Sequence, residues 1–157
     1  GTTFTDQEKA FAQEIQATFP DGAVSRSKAR ARMLAAVSLS DADLGEALHE
    51  GVIPHKETNY VLPGSTEVGD VSYITPTVQC TTACEAIGTP AHSWQTTAAS
   101  GSSIGMKGML LAAKTMAGTA LDLFTQPDAL AAARAEFAES TNGQPYVTPL
   151  PDGAVPS

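Results

Sequence analysis

The ten residues VQCTTACEAI, at positions 78–87, decide which fold class the sequence predicts. Their side chains alternate between two faces, and β-branched residues dominate the first half, as in strands that are buried on one side. One face would hold Val78, Cys80, Thr82, Cys84 and Ala86, and the other Thr77, Gln79, Thr81 and Glu85. We therefore expect one half-buried strand here.

Two helical segments are expected before this stretch. Thr5 and Glu8 have the spacing of a capping box, and an apolar residue follows at every fourth position from Phe11 to Phe19. This first helix should end at the Pro-Asp-Gly sequence that follows. A second, shorter helix should begin at Ser40, with acidic residues in its first turn.

Two further helices are expected after the strand. Residues Ile104–Phe124 predict a long helix, and Pro127 favours the first turn of another helix that ends at Asn142 and Gly143. The buried stripe of the long helix would consist of Met109, Ala113, Met116, Ala117, Ala120, Leu121 and Phe124.

Helices on both sides of a strand predict an α/β fold, with helices packed on a mixed sheet. A complete doubly wound domain contains more strands. We therefore expect residues 1–143 to form part of a sheet domain, followed by a Pro-rich tail at residues 144–157.

Composition excludes several classes of partner. The net charge of −8 argues against a nucleic-acid partner, because such proteins present a basic surface to the phosphate backbone. No apolar run reaches the roughly 20 residues that span a membrane, and no signal-peptide pattern opens the chain. We expect a cytoplasmic protein. The first residue is not Met, which leaves open a start further upstream.

Four of the nine basic residues lie in the short stretch SRSKARARM, at positions 25–33. This stretch is either an anion-binding patch or a solvated face, and in an acidic chain the solvated face is the simpler interpretation.

Cys80 and Cys84 are expected to be buried free thiols. On a strand, residues four apart lie about 13 Å apart, which is too far for a disulfide or for sharing one zinc ion.

His92 is the residue that most resembles a functional side chain. It follows a Gly-Thr-Pro turn directly after the predicted strand, where ligand sites of α/β domains gather. Imidazole is a frequent metal ligand and general base, although a structural histidine is the alternative.

Glu67 and Asp70 are the other candidates, in the loop GSTEVGDVS at positions 64–72. Two carboxylates three residues apart can share one face of a helical turn, and Gly64 and Gly69 would let the backbone approach a ligand. The alternative is a turn capped by Ser65 or Thr66.

Three segments in this order carry a family resemblance: GSTEVGDVSYITPT, GTPAHSWQ and GMKGMLLAAKTMAGTALDL. They resemble the C-terminal part of aminobenzoyl-glutamate hydrolase B-type proteins. These belong to the family of metal-dependent peptidases and amidohydrolases that includes carboxypeptidase G, aminoacylase and auxin-conjugate hydrolases. The resemblance extends from about Phe4 to Leu123.

The resemblance implies roles for individual residues. His92 matches the last metal-ligand histidine of the family. Thr66 and Glu67 match an element that lines the same pocket, with Glu67 where an aspartate is expected, so Glu67 is the candidate catalytic residue. Asp70 and Trp94 are expected, with Thr66, near the substrate.

The resemblance also implies what other residues must supply. Family members hold two divalent ions, zinc or manganese here, with ligands from both halves of the catalytic domain, and a lid domain is inserted between the halves. The elements of the early half and the lid domain are absent from this sequence. Because a catalytic metal needs about three protein ligands, we expect the full-length enzyme to retain the ions, and this chain alone to be inactive.

These observations leave two functions of different classes. The first is the C-terminal segment of an amidohydrolase that cleaves the amide bond of an N-acyl amino acid such as p-aminobenzoyl-glutamate. The second is a non-catalytic binding or subunit-assembly module derived from that family. Expected partners are the small-molecule substrate and the remaining half of the catalytic domain or a homologous subunit, with no nucleic acid and no membrane. A stand-alone α/β domain unrelated to the family is a third, weaker hypothesis.

Overall fold

The computed structural model describes residues 1–56, 66–151 and 153–154, and within these ranges the regular structure is helical. The helices are α1 (Asp6–Gln16), α2 (Ala23–Leu34), α3 (Asp41–Leu44), α4 (Val68–Ser72), α5 (Trp94–Ser100), α6 (Ser103–Thr125) and α7 (Pro127–Thr141). The chain divides into two compact units. The first comprises Gly1–Tyr60 and Thr81–Met116, and the second comprises Val61–Cys80 and Ala117–Ser157.

The predicted α/β fold with a mixed sheet is wrong. Within the described ranges the β structure amounts to one isolated antiparallel bridge, between Ala35 and His55. A strand needs a neighbouring strand to pair its N–H and C=O groups, and the other described segments form helices and loops. Residues 78–87 take an irregular path instead. Ala86 is buried, but Val78 is 83% exposed.

The first helix is confirmed in its start and its buried face. The Glu8 N–H donates to Thr5 Oγ1 at 3.3 Å, and the Thr5 N–H donates to Glu8 Oε2 at 2.7 Å, which completes the capping box. Ile15 is buried, and Phe11 and Phe19 pack against the same core. The helix ends at Gln16, one turn before the expected Pro-Asp-Gly sequence.

The core of the first unit lies between α1, the loop after α3 and the start of α6. Its buried apolar residues are Phe4, Ala12, Ile15, Ala47, Leu48, Ala86 and Ile104. Two backbone carbonyl groups of this region accept hydrogen bonds from other segments of the chain. Gln16 Nε2 donates to Ile87 O at 2.9 Å, and the Ile87 N–H donates to Ala47 O at 2.8 Å.

Local signals at helix ends gave correct predictions elsewhere. Ser40 caps α3 in a capping box with Asp43, although the helix is only four residues long. Pro127 occupies the first turn of α7, and Asn142 ends it with a positive φ of 49°. Helices α2 and α5 were not expected from the sequence.

The long helix α6 exists as predicted, but its expected buried stripe is wrong. Its buried residues are Ile104, Gly105 and Gly108, all near its beginning. Every member of the expected stripe, namely Met109, Ala113, Met116, Ala117, Ala120, Leu121 and Phe124, is exposed. Apolar spacing indicated a face but not which turns of the helix contact the core. In the described part of the chain, no helix is long and apolar enough to cross a bilayer.

Candidate functional site

The turn before α5 is held by hydroxyl groups. Ser93 accepts from the Thr96 N–H at 3.3 Å and so caps α5. The hydroxyls of Ser93 and Thr96 both donate to Pro90 O, at 2.7 and 3.1 Å. Gly88 begins the turn with a φ of 93°, and its Cα lies so close to α2 that a side chain there would meet the backbone of Val24 at 2.9 Å. The turn is therefore fixed at both ends.

His92 lies in this turn with a φ of 56°. A positive φ is uncommon outside glycine and is maintained only where the surrounding structure imposes it. Its side chain is exposed and forms no hydrogen bond or ion pair within the described ranges. Among the described residues the imidazole is thus unpaired, and it lies at the surface in a strained backbone conformation. Such strain is frequent at functional sites.

Trp94, the other candidate in this segment, is the first residue of α5. Its side chain is 59% exposed, so most of the indole is open to contact with other groups. Its expected role near the substrate stays a prediction.

The candidates of the loop at positions 64–72 belong to the second unit. Thr66 Oγ1 accepts from the Val68 N–H at 3.4 Å, as the capped-turn interpretation expects. Glu67 precedes α4 without capping it. Asp70 Oδ1 accepts from the Tyr146 hydroxyl at 2.7 Å, and this hydrogen bond raises the pKa of Tyr146. Gly64 and Ser65 lie outside the described residues.

Tyr146 is a contact of Asp70 that sequence analysis did not identify. Its ring also stacks on Tyr73, with 6.4 Å between the ring centroids. One carboxylate of the predicted site is therefore already engaged within its own unit.

A metal ion needs about three protein ligands in a catalytic site. Among the residues that the structure describes, no three His, Cys, Asp or Glu side chains lie close enough together to hold one. His92 and Trp94 belong to the first unit, and Thr66, Glu67 and Asp70 to the second. The described residues alone therefore do not fit a metal centre, and His92 can offer a single nitrogen ligand.

The two cysteines are free, as predicted. Cys84 is half-buried, with its Sγ 3.4 Å from Thr82 Oγ1. Cys80 is exposed, so the prediction that both thiols are buried is wrong for this residue. The alternation that predicted its burial belongs to a strand that does not form.

A cleft of about 790 Å³ opens in the first unit along one face of α2. Its lining residues from α2 are Ala23, Arg26, Ser27, Arg30, Ala31 and Leu34. Their spacing of three and four residues places them on one side of a helix. This spacing is visible in the sequence and could have identified the face. Gly88, Thr89 and Pro90 also line the cleft, so the turn that carries His92 begins at its wall.

The basic stretch of the sequence is thus divided between two faces of α2. Lys28 and Arg32 pair with Asp41, at 3.5 and 2.7 Å, and hold α3 against α2. Arg26 and Arg30 line the cleft. Sequence alone did not separate these two pairs.

Comparison with known proteins identifies a relative. The chain is 38% identical, over 163 aligned positions that include 98% of its length, to the B-type subunit of p-aminobenzoyl-glutamate hydrolase from Escherichia coli (strain K12). It spans 33% of that protein's length. No family profile matches the chain, and no solved structure matches it. The resemblance indicated by the sequence is confirmed: over almost its whole length, the chain is related to one third of a B-type p-aminobenzoyl-glutamate hydrolase protein.

Proposed function

We propose that the chain is a segment of a metal-dependent amidohydrolase that cleaves the amide bond of an N-acyl amino acid such as p-aminobenzoyl-glutamate. The observation that carries the proposal is the similarity to a hydrolase subunit, which includes 98% of the chain. Similarity of this extent at 38% identity supports a shared role for the segment, and not only a shared motif.

In this proposal His92 is a metal ligand. Its imidazole is exposed and unpaired within the described ranges, so no competing contact has to break for it to bind an ion. The described residues do not complete a metal site. We therefore assign one ligand to the described residues of this chain and the others to the rest of the enzyme.

Glu67 is a better candidate than Asp70 for contact with the substrate. Its carboxylate is exposed and has no hydrogen bond or ion pair among the residues that the structure describes. Asp70 is engaged with the Tyr146 hydroxyl. In this proposal Thr66 shapes the turn before α4, and Trp94 offers an open aromatic face to the substrate.

The test is an assay of the gene product from its natural start beside the 157-residue chain. The proposal predicts that the longer product hydrolyses p-aminobenzoyl-glutamate, that a chelator stops the reaction and that zinc or manganese restores it. Absence of hydrolysis with either metal would contradict it. Metal-free association with a partner subunit in place of hydrolysis would instead favour the assembly module.

The exposed apolar surface of α6 supports a partner subunit, since the relative is named as one subunit of a hydrolase. Leu121 and Phe124 are 61% and 88% exposed, and apolar residues concentrated on one helix are typical of interaction surfaces. We propose that α6 packs against a partner subunit. Phe124→Glu should weaken the association measured by light scattering, while Lys114→Glu on the same helix should not. Unchanged association of the Phe124 variant would contradict this assignment.

A further inference from the structure

The cleft along α2 has one positively charged wall. Arg26 and Arg30 are four residues apart on the same helix face, both exposed, and neither forms an ion pair within the described ranges. Arg26 Nη1 donates to Asp21 O at 3.0 Å, which leaves its other N–H groups available. Arginines four residues apart on one helix face can bind one carboxylate together, because each guanidinium group offers N–H donors in a planar fork.

The cleft also contains a carboxylate, in the segment that precedes the His92 turn. Glu85 lines the same cleft and is half-buried. Burial raises the pKa of its carboxyl group, and the nearby Thr96 side chain partly opposes this shift. Within the described ranges Glu85 has no ion pair, so a cation that entered the cleft would meet an uncompensated carboxylate.

Apolar residues line the cleft as well, namely Ala31, Leu34, Ile53 and Pro90. The same lining includes polar residues, namely Ser27, His55, Thr81 and Thr89. A volume of about 790 Å³ falls within the range of roughly 300–1,000 Å³ that is usual for small-molecule sites. The cleft therefore combines anion-binding, cation-binding and apolar surfaces in a space sufficient for a small ligand.

We propose that this cleft binds a free α-amino acid with an aliphatic side chain. Its carboxylate pairs with Arg26 and Arg30, its ammonium group faces Glu85, and its side chain lies on Leu34 and Ile53. The inference does not depend on a metal at His92, because it rests on α2, Ile53 and Glu85.

The experiment is calorimetric titration of the chain with L-leucine, leucinamide and N-acetyl-leucine. Leucinamide lacks the carboxylate, and N-acetyl-leucine lacks the ammonium group. We expect saturable binding of leucine and weaker binding of both analogues. Because the three ligands are compared on the unaltered chain, this result does not depend on the folding of any variant.

Variants then assign the two charged walls. Arg30→Gln should weaken leucine binding by roughly tenfold or more, since charge-assisted hydrogen bonds are lost. Arg134→Gln, an exposed residue of α7, is the matched control and should change nothing. Glu85→Gln should weaken leucine binding but leave N-acetyl-leucine binding unchanged.

Three outcomes would overturn the proposal. The first is no saturable binding of leucine up to about 10 mM. The second is unchanged leucine affinity in the Arg30→Gln variant. The third is equal affinity for leucine and N-acetyl-leucine, which would remove the role of the ammonium group and of Glu85.

Discussion

At the residue scale, Glu8 is a buried charge that links α1 to the first turns of α6. Lys107 Nζ lies 2.6 Å from its Oε2, Ser103 Oγ donates to its Oε1 at 2.6 Å, and the Thr5 N–H donates to Oε2. These groups, Lys107 first, lower the pKa of Glu8 from 4.5 to about 2. The ionised carboxylate is therefore more stable in the folded chain than in the unfolded chain.

This shift predicts how stability depends on pH. A carboxyl group whose pKa falls on folding stabilises the fold above its unfolded pKa, and the stabilisation is lost as the pH falls towards the folded value. We expect the free energy of unfolding to decrease between about pH 5 and pH 2. Glu8→Gln should lower it by about 1–3 kcal/mol at neutral pH and flatten this acid dependence. Chemical denaturation at several pH values measures both effects.

Glu14→Gln is the control for this prediction, because Glu14 is exposed on the same helix. Its effect on the free energy of unfolding should stay within about 0.5 kcal/mol. An acid dependence of the Glu8 variant as steep as that of the unaltered chain would contradict the account.

His92 offers a second test at the residue scale, of its backbone. At a positive φ, glycine is accommodated without strain, whereas a β-branched residue is strongly disfavoured. His92→Val should lower the free energy of unfolding by about 1 kcal/mol or more. His92→Gly should leave it within about 0.5–1 kcal/mol, because relieved strain offsets the added entropy of the unfolded chain. Equal stability of the two variants would show that the turn is not strained there.

At the element scale, α6 approaches residues 83 and 84 most closely at a glycine, Gly108. A methyl group at Gly108 would meet Cys84 Sγ and would lie 2.7 Å from Ala83 O, whereas a methyl group at Gly118 would meet nothing within 4 Å. The same helix thus contains two glycines required by close packing, Gly105 and Gly108, and one that is not, Gly118.

Gly108 and Gly118 give opposite predictions for the same substitution. Gly118→Ala should raise the free energy of unfolding by about 0.5–1 kcal/mol, because alanine favours the helix. Gly108→Ala should lower it by about 1–3 kcal/mol, because the added methyl group forces α6 away from residues 83 and 84. Thermal unfolding followed by far-ultraviolet circular dichroism compares them. A stabilising Gly108→Ala would refute the close packing described above.

Helix ends were predictable because their chemistry is local. The capping boxes at Thr5 and Ser40 and the stop at Asn142 each involve groups within a few residues, so spacing in the sequence was sufficient. The basic helix α2 was missed because none of its residues is buried, so its sequence carries no strong apolar stripe, and its face is completed by residues distant in the sequence, such as Glu85.

At the scale of the whole molecule, the wrong predictions concern contacts between distant segments. Whether residues 78–87 form a strand depends on a pairing partner, and whether Phe124 is buried depends on what covers α6. Neither condition can be deduced from local periodicity. The family resemblance did identify a relative correctly, because it rested on specific motifs around Glu67 and His92 rather than on a predicted fold. The structure places Glu67 and His92, and their proposed chemistry stays a prediction.

The most direct test of the central claim is the metal content of the gene product with His92→Gly beside that of the unaltered protein. Glycine is chosen because it tolerates the positive φ of this position, so the variant removes the imidazole without straining the turn. Loss of a residue that only supports a ligand weakens metal binding by roughly 10–100-fold, so loss of a ligand should do at least as much. We predict that bound metal and p-aminobenzoyl-glutamate hydrolysis both fall in the variant. Full metal content with an unchanged rate would contradict the assignment of His92 as a ligand.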